Sequence, residues 1–210
     1  MTAGTPIVFV VDDDPSIRKS LTRLMKSARL AVETFATAHE FLERQSHEGP
    51  SCIVLDVKLP GLNGLELQEE LLSRKYAMPI VFITGHGDIP VSVKAMKKGA
   101  IDFLAKPFDD KDLLGAVHEA LQRDSKTRII RDEREDIERR LESLTPREYE
   151  ILTHVITGML NKQIAYALNI SEKTVKVHRG RVMAKMGVNS VAELVRFTEK
   201  VDVKPAEVLP

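Results

Sequence analysis

The sequence predicts an α/β first half, a doubly wound five-stranded parallel sheet. A helical linker and an all-α domain of four helices follow. Three observations predict this. Short apolar runs at 7–11, 31–35, 51–55, 79–83 and 101–105 alternate with segments of helical period, the pattern of consecutive strand–helix units with right-handed crossovers. No Gly or Pro interrupts the chain between Gly115 and Pro146, so the last helix of the first domain has no evident stop. Beyond Leu144 the texture changes to short segments, each opening on a capping residue. The boundaries read as 1–121, a linker at 122–143, a second domain at 144–201 and a tail at 202–210.

In the first helix Ile17, Leu21, Leu24, Met25 and Ala28 recur at helical spacing. Asp14 serves as its N-cap and Pro15 as its first residue. Asp88 and Pro90 open the fourth helix, which Gly99 ends. The linker carries opposite charges four apart at Arg131–Glu135, Arg134–Glu138, Glu135–Arg139 and Asp136–Arg140, pairs that support an exposed helix. Ile130, Ile137 and Leu144 are spaced by seven, with Leu141 beside them. That seam is short and interrupted, so a solvated helical linker outweighs a coiled coil.

Thr145-Pro146-Arg147-Glu148 is a capping box, and Gly158 ends its helix. Asn161 is expected to cap the next helix, which leaves at Asn169. Ser171 caps the third, ending near Gly187, and Ser190-Val191-Ala192-Glu193 is a second capping box. Residues 202–210 show no pattern and read as a loose tail.

Apolar runs near five residues are too short to span a bilayer, and the N-terminus lacks the features of a secretion signal. Cys52 is the only cysteine, which excludes an intrachain disulfide and favours a reducing cytoplasm. The net charge of zero hides an asymmetry: residues 1–121 hold 14 Lys/Arg against 17 Asp/Glu, and residues 144–210 hold 10 against 7. Lys162, Lys173, Lys176, Arg179, Arg181 and Lys185 crowd one stretch with Glu172 as its only acid. Such a face suits nucleic acid, although a solvated helix face has the same composition.

Asp12 and Asp13, Asp56, Thr84 and Lys106 fall at or just past the ends of four apolar runs. In a parallel sheet, strand ends of one sense meet at one edge, where ligands bind. Three carboxylates brought together repel, and a divalent cation such as Mg2+ removes that penalty. One carboxylate is then free to attack phosphorus, Lys106 offers a charge to a phosphoryl oxygen, and Thr84 offers a hydroxyl. Singly, each of these is more often a turn or cap residue. It is their order along the chain that points to phosphoryl transfer. His86 reads as an exposed loop residue, because no second His lies at ligand spacing.

These residues carry a resemblance. Val11-Asp12-Asp13-Asp14, Leu55-Asp56-Val57-Lys58-Leu59-Pro60-Gly61 followed by Gly64, Ile83-Thr84-Gly85 and Lys106-Pro107-Phe108 resemble a response-regulator receiver domain of flavodoxin-like fold. Thr84 through Pro90, continuing to Lys106-Pro107-Phe108, is similar to the FixJ group in particular. The resemblance implies that Asp56 accepts a phosphoryl group from a histidine kinase. It implies that Asp12, Asp13, Asp56 and the carbonyl of Lys58 hold Mg2+. It also implies that Thr84 and Phe103 form a switch pair beside Lys106, with a cis peptide at Lys106–Pro107. Phe103 lacks the hydroxyl of the Tyr many relatives carry, which favours a rotamer switch over a hydrogen-bonded one. Gly85 leaves the phosphate site open.

On a helical wheel from Ser171 to Met186, Val175, Val182 and Met186 share one face. Lys173, Lys176, Val177, Gly180, Arg181 and Ala184 share the other. An exposed Val among bases suits a thymine methyl, and small residues let a helix sit deep in the major groove. Leu144 through Glu148, Asn161 through Ala165, Leu168 through Ser171, Thr174 through His178, Lys185 through Val188 and Ala192 through Leu194 resemble a LuxR-type helix-turn-helix. The resemblance implies that Lys162 and Thr174 meet phosphates of double-stranded DNA while Lys176 and Val177 reach base edges. Lys173 and Arg181 belong to the same surface, and Arg179 lies nearer the buried side. The final helix, with Leu194, Val195 and Phe197, resembles a dimerisation element, with core packing the alternative use of its apolar face.

The expected function is that of a two-component response regulator of the FixJ/NarL type. It would act on itself rather than as an enzyme, dimerise on phosphorylation, bind promoter DNA and work with RNA polymerase, away from any membrane. Two rivals remain open: a DNA-binding regulator with a vestigial receiver, and an aspartyl-nucleophile phosphatase. The latter is disfavoured because Asp12-Asp13-Asp14-Pro15 is not an Asp-x-Asp-x-Thr motif.

Overall fold

The structure, a computed structural model, describes residues 4–74, 78–85 and 89–206. The expected cap at Asp88 and the loop residue His86 lie outside the described residues. The chain forms two compact units, Met1–Arg128 and Ile129–Pro210.

The first unit is built on a five-stranded parallel sheet in the order β2-β1-β3-β4-β5. The strands are β1 (Ile7–Val11), β2 (Ala31–Phe35), β3 (Ser51–Asp56), β4 (Ile80–Thr84) and β5 (Asp102–Ala105), each within one residue of an apolar run. Between them lie α1 (Pro15–Ser27), α2 (Ala38–Glu43), α3 (Gly64–Ser73) and α4 (Ile89–Lys97), and α5 (Asp110–Glu142) follows the last strand. The pleat sends alternate side chains to opposite faces. Phe9 and Val11 enter a core with Phe41, Ile53, Leu55, Leu67 and Phe82. Val8 and Val10 enter a second core with Leu21 and Met25 of α1 and Leu113 and Val117 of α5. The register pairs Val11 with Leu55, Asp56 with Ile83 and Thr84 with Ala105. Strand ends therefore align along one edge. Asp14 caps α1 as expected, its Oδ1 accepting from the Ser16 N–H at 2.7 Å.

The helical stretch after residue 121 is less solvated than its charge suggests. Asp124 is buried. Its Oδ2 accepts from the Ser51 N–H at 2.8 Å and from Arg128 Nε at 2.6 Å. This clamp holds α5 to the start of β3. Ile129 and Ile130 beyond it are exposed, whereas Ile137 is buried in the core of the second unit with Leu141 and Leu144 against it. Ile137, Leu141 and Leu144 thus form a packing face within this unit, and Ile130 lies outside it. Arg131–Glu135, Arg134–Glu138 and Asp136–Arg140 pair as expected, while Arg139 turns to Asp136 at 3.4 Å instead of Glu135.

The second unit adds α6 (Pro146–Val155), α7 (Asn161–Ala167), α8 (Glu172–Met186) and α9 (Val191–Glu199). Ile151, Leu152, Ile164, Val175, Val182, Met186 and Leu194 fill its core. Thr145 and Glu148 form the expected capping box, and Gly187 ends α8 at φ 65°. Three expectations need correction. Leu160, not Asn161, holds the N-cap position of α7, and the Asn161 Oδ1 accepts from Arg179 Nη1 at 2.9 Å. Glu193 returns its carboxylate to the Asn189 N–H at 3.0 Å rather than to Ser190. Leu194 and Phe197 of α9 pack on this unit's own core, one of the two uses open to that face, while Val195 is half-buried. The start of the tail is also tied down: Val203 packs on the core and the Ala206 N–H donates to the Thr153 carbonyl at 3.1 Å.

Removing Asp124 leaves the Arg128 guanidinium, only 17% exposed, without its carboxylate. Losing one partner of a buried pair costs about 3 kcal/mol or more. Asp124→Ala is therefore expected to destabilise the N-terminal unit by about 3 kcal/mol, measured by urea unfolding followed by circular dichroism.

Candidate functional site

The β1–α1 turn places Asp12 and Asp13 beside Asp56 at the end of β3. One carboxylate oxygen from each lies within 4.8 Å of the others. Asp12 is fully buried, Asp56 is 7% exposed and Asp13 is exposed. Both Asp12 oxygens are held, Oδ1 by the Asp14 N–H at 2.9 Å and Oδ2 by Lys106 Nζ at 2.7 Å. Lys106 Nζ also lies 3.6 Å from Asp56 Oδ1. Thr84 ends β4 and is buried, with Gly85 next to it; a methyl group built on Gly85 would meet nothing within 4 Å. Phe103 is half-buried on β5, its ring 6.0 Å from that of Phe82. The Lys106–Pro107 peptide is cis.

Burial pushes the Asp56 carboxyl above its ordinary value. Lys106 opposes this, Asp12 reinforces it, the backbone N–H of Lys58 opposes it and Asp13 reinforces it. Three hard carboxylate donors converging with so little offsetting charge fit a Mg2+ ion, which takes oxygen ligands and removes the repulsion. The edge thus brings together Asp12, Asp13, Asp56, Thr84 and Lys106, with Lys58 donating its N–H to Asp56.

The second constellation lies on α7 and α8. Lys173, Lys176, Gly180, Arg181 and Ala184 are exposed, as is Lys162 on α7, and Val177 is 48% exposed. Val175, Val182 and Met186 point inward. Thr174 is half-buried, its hydroxyl 2.8 Å from that of Ser171. A methyl group built on Gly180 would meet no atom within 4 Å, so no neighbour in the protein requires glycine there. Tyr166, 91% exposed, stands one turn beyond Lys162 on α7 and was not singled out by the sequence.

Residues 8–118 match the response regulator receiver domain family, and residues 142–198 match the luxR family of bacterial regulatory proteins. The chain belongs to the two-component response regulators. It is 50% identical over 193 residues to nodulation protein W of Bradyrhizobium diazoefficiens, covering 92% of this chain and 85% of that protein. It is 44% identical over 200 residues to the transcriptional regulatory protein FixJ of Azorhizobium caulinodans, covering 95% of each. Its fold is similar to the structure of response regulator StyR, with a TM-score of 0.87, 49% identity and coverage of 93% of this chain and 99% of that one. Full-length FixJ from B. japonicum matches at a TM-score of 0.56 and 39% identity, over 96% and 98% of the two chains. No helix among the described residues is long and apolar enough to cross a membrane.

The receiver and the LuxR-type domain each hold residues that the sequence did not single out for this purpose. In the receiver, a methyl group on Gly64 would sit 2.3 Å from the Asp56 carbonyl oxygen, so only glycine lets α3 start against the end of β3. The signal was the Gly at that position, but the clash is visible only in space. In the LuxR-type domain, Glu148 is buried and accepts from Lys185 Nζ at 2.6 Å and from the Thr145 N–H at 2.9 Å. Lys185 Nζ also donates to the Ser143 carbonyl at 2.8 Å. This lock fixes the C-terminal half of α8 to the start of α6. Arg140 Nη1 adds a bond to the Met186 carbonyl at 2.7 Å, where a cation suits a helix C-terminus.

The Lys185 ammonium above all, then the Thr145 N–H, hold the Glu148 carboxyl down at about 2, below its ordinary 4.5. The folded-state value lies below the unfolded one, so the stabilisation is complete above pH 4.5 and is lost as pH falls through about 2. Gln at this position keeps the capping geometry and removes the charge. Glu148→Gln is therefore expected to melt below the wild type at neutral pH, with the gap closing from pH 4.5 towards 2, measured by thermal unfolding at stepped pH.

Proposed function

We propose that this response regulator accepts a phosphoryl group on Asp56 from a histidine kinase. In that state it dimerises and binds promoter DNA to regulate transcription with RNA polymerase. The observation that carries the proposal is the convergence of Asp12, Asp13 and Asp56 within 4.8 Å, with Lys106 Nζ 3.6 Å from Asp56 Oδ1. A chain that also presents a basic face on α8 has a use for such a site as a switch.

In the proposed step an Asp56 carboxylate oxygen attacks phosphorus and a P–O bond forms. The P–N bond of the kinase phosphohistidine breaks, and the imidazole leaves with the electron pair and takes a proton from solvent. Asp12, Asp13, Asp56 and the Lys58 carbonyl would hold Mg2+, which when bound neutralises the carboxylates and the incoming phosphoryl oxygens. Lys106 offers its ammonium to one phosphoryl oxygen, and Thr84 its hydroxyl to another. Reorientation of Thr84 draws the Phe103 ring inward along β5. A face of α4 supports the dimer reading: Ile89, Val93 and Met96 follow one helical stripe at 75%, 45% and 43% exposure. On DNA, Lys176 and Val177 read base edges, while Lys162, Lys173, Thr174 and Arg181 meet phosphates or flank the groove.

Asp56→Asn is expected to abolish labelling by a small phosphodonor; stable labelling of that variant would overturn the assignment. Lys176→Ala and Val177→Ala are each expected to weaken specific DNA binding by about 1–3 kcal/mol while leaving non-specific binding nearly intact. Footprinting checks this, and unchanged footprints for both would refute the placement of α8 in the major groove.

A further inference from the structure

Arg18 lies on α1, one turn past the Asp14 cap. Its Nη1 donates to the Asp12 carbonyl at 2.6 Å and to the Asp13 carbonyl at 2.9 Å. One guanidinium nitrogen thus bridges two consecutive peptide carbonyls of the acidic turn. Arg18 takes the carbonyls and leaves the carboxylates alone. The Asp12 carboxylate is held separately, by the Asp14 N–H and by Lys106. Arg18 therefore fixes the path of the turn without occupying a donor that a cation would use. It also brings a positive charge close to a cluster whose members repel one another.

We infer that Arg18 is a positioning residue for the cation site, holding the Asp12–Asp13 turn so that both carboxylates converge on Asp56. The inference rests on the acidic-pocket reading above. Arg18 touches no reacting atom, so its effect belongs to metal affinity and not to the maximal rate. Groups that orient metal ligands from outside typically change affinity 10–100-fold when removed. The terminal NH2 of Nη1 carries two hydrogens, one for each carbonyl, whereas a thioether cannot donate and the shorter glutamine side chain falls short of both.

The test is a Mg2+ titration of the full chain, following amide resonances of residues 12–14, for wild type, Arg18→Met, Arg18→Gln and Asp13→Asn. Both Arg18 variants are expected to bind Mg2+ about tenfold more weakly. Labelling by a small phosphodonor should slow at low Mg2+ and return to the wild-type rate at saturation. Affinities within twofold of wild type in a folded Arg18 variant would overturn the inference, as would a labelling rate that saturating Mg2+ does not restore. If Arg18→Met does not fold, Arg18→Gln decides on the same criteria. A wild type that binds no Mg2+, or an Asp13→Asn variant that binds it unchanged, would instead overturn the acidic-pocket reading itself.

Discussion

Like-charge repulsion at one end of a parallel sheet is the constraint on which the receiver depends. Asp12 and Asp56 are buried, and Asp13 stands beside them. Burial alone disfavours an ionised Asp56, and its two acidic neighbours add to that. The fold offsets this cost with a small set of fixed groups. Lys106 reaches Asp12 and Asp56 from the end of β5, and the Asp14 N–H takes the other oxygen of Asp12. Arg18 secures the turn through its carbonyls. Each donor belongs to a different strand end or to α1, so the pocket exists only because the register aligns those ends. A site left with uncompensated negative charge favours a bound cation.

The same β3 strand links the pocket to the rest of the unit. Asp56 stands at its end, and Ser51 at its start is held by Asp124 of α5. Gly64 lets α3 begin directly against the Asp56 carbonyl. Asp56 is thus held on a strand anchored at both ends, which suits a site that needs geometry held closely.

In the LuxR-type domain the constraint is different. Helix α8 presents an exposed face, and glycine at 180 weakens a helix that has no internal need for it. Its position is set by the apolar contacts of Val175, Val182 and Met186, and by polar locks at several points. Arg179 bonds to Asn161 of α7, Lys185 to Glu148 of α6, and Arg140 to the Met186 carbonyl. These bonds take up the side chains that do not face outward. Lys173, Lys176, Val177 and Arg181 are left on one open surface.

The parts legible in the sequence were those governed by local rules. Apolar runs marked all five strands to within a residue, and the caps at Asp14, Thr145 and Ser171 formed as their side chains dictate. The aspartates, Thr84 and Lys106 were legible because strand order alone brings strand ends together. Roles that depend on distant partners were not legible. Asn161 reads as a cap until Arg179 claims its side chain, and the apolar face of α9 reads equally as core or as an interface until Leu194 and Phe197 pack inward. The stretch 122–143 reads as a solvated linker because its charges are local, whereas the partners that bury Asp124 and Ile137 are remote in sequence. By itself, then, the sequence determined the elements, their order and the chemistry at the sheet edge, since periodicity and capping act within a few residues. Tertiary structure alone decided which polar groups became locks, because a hydrogen bond across tens of residues leaves no periodic trace.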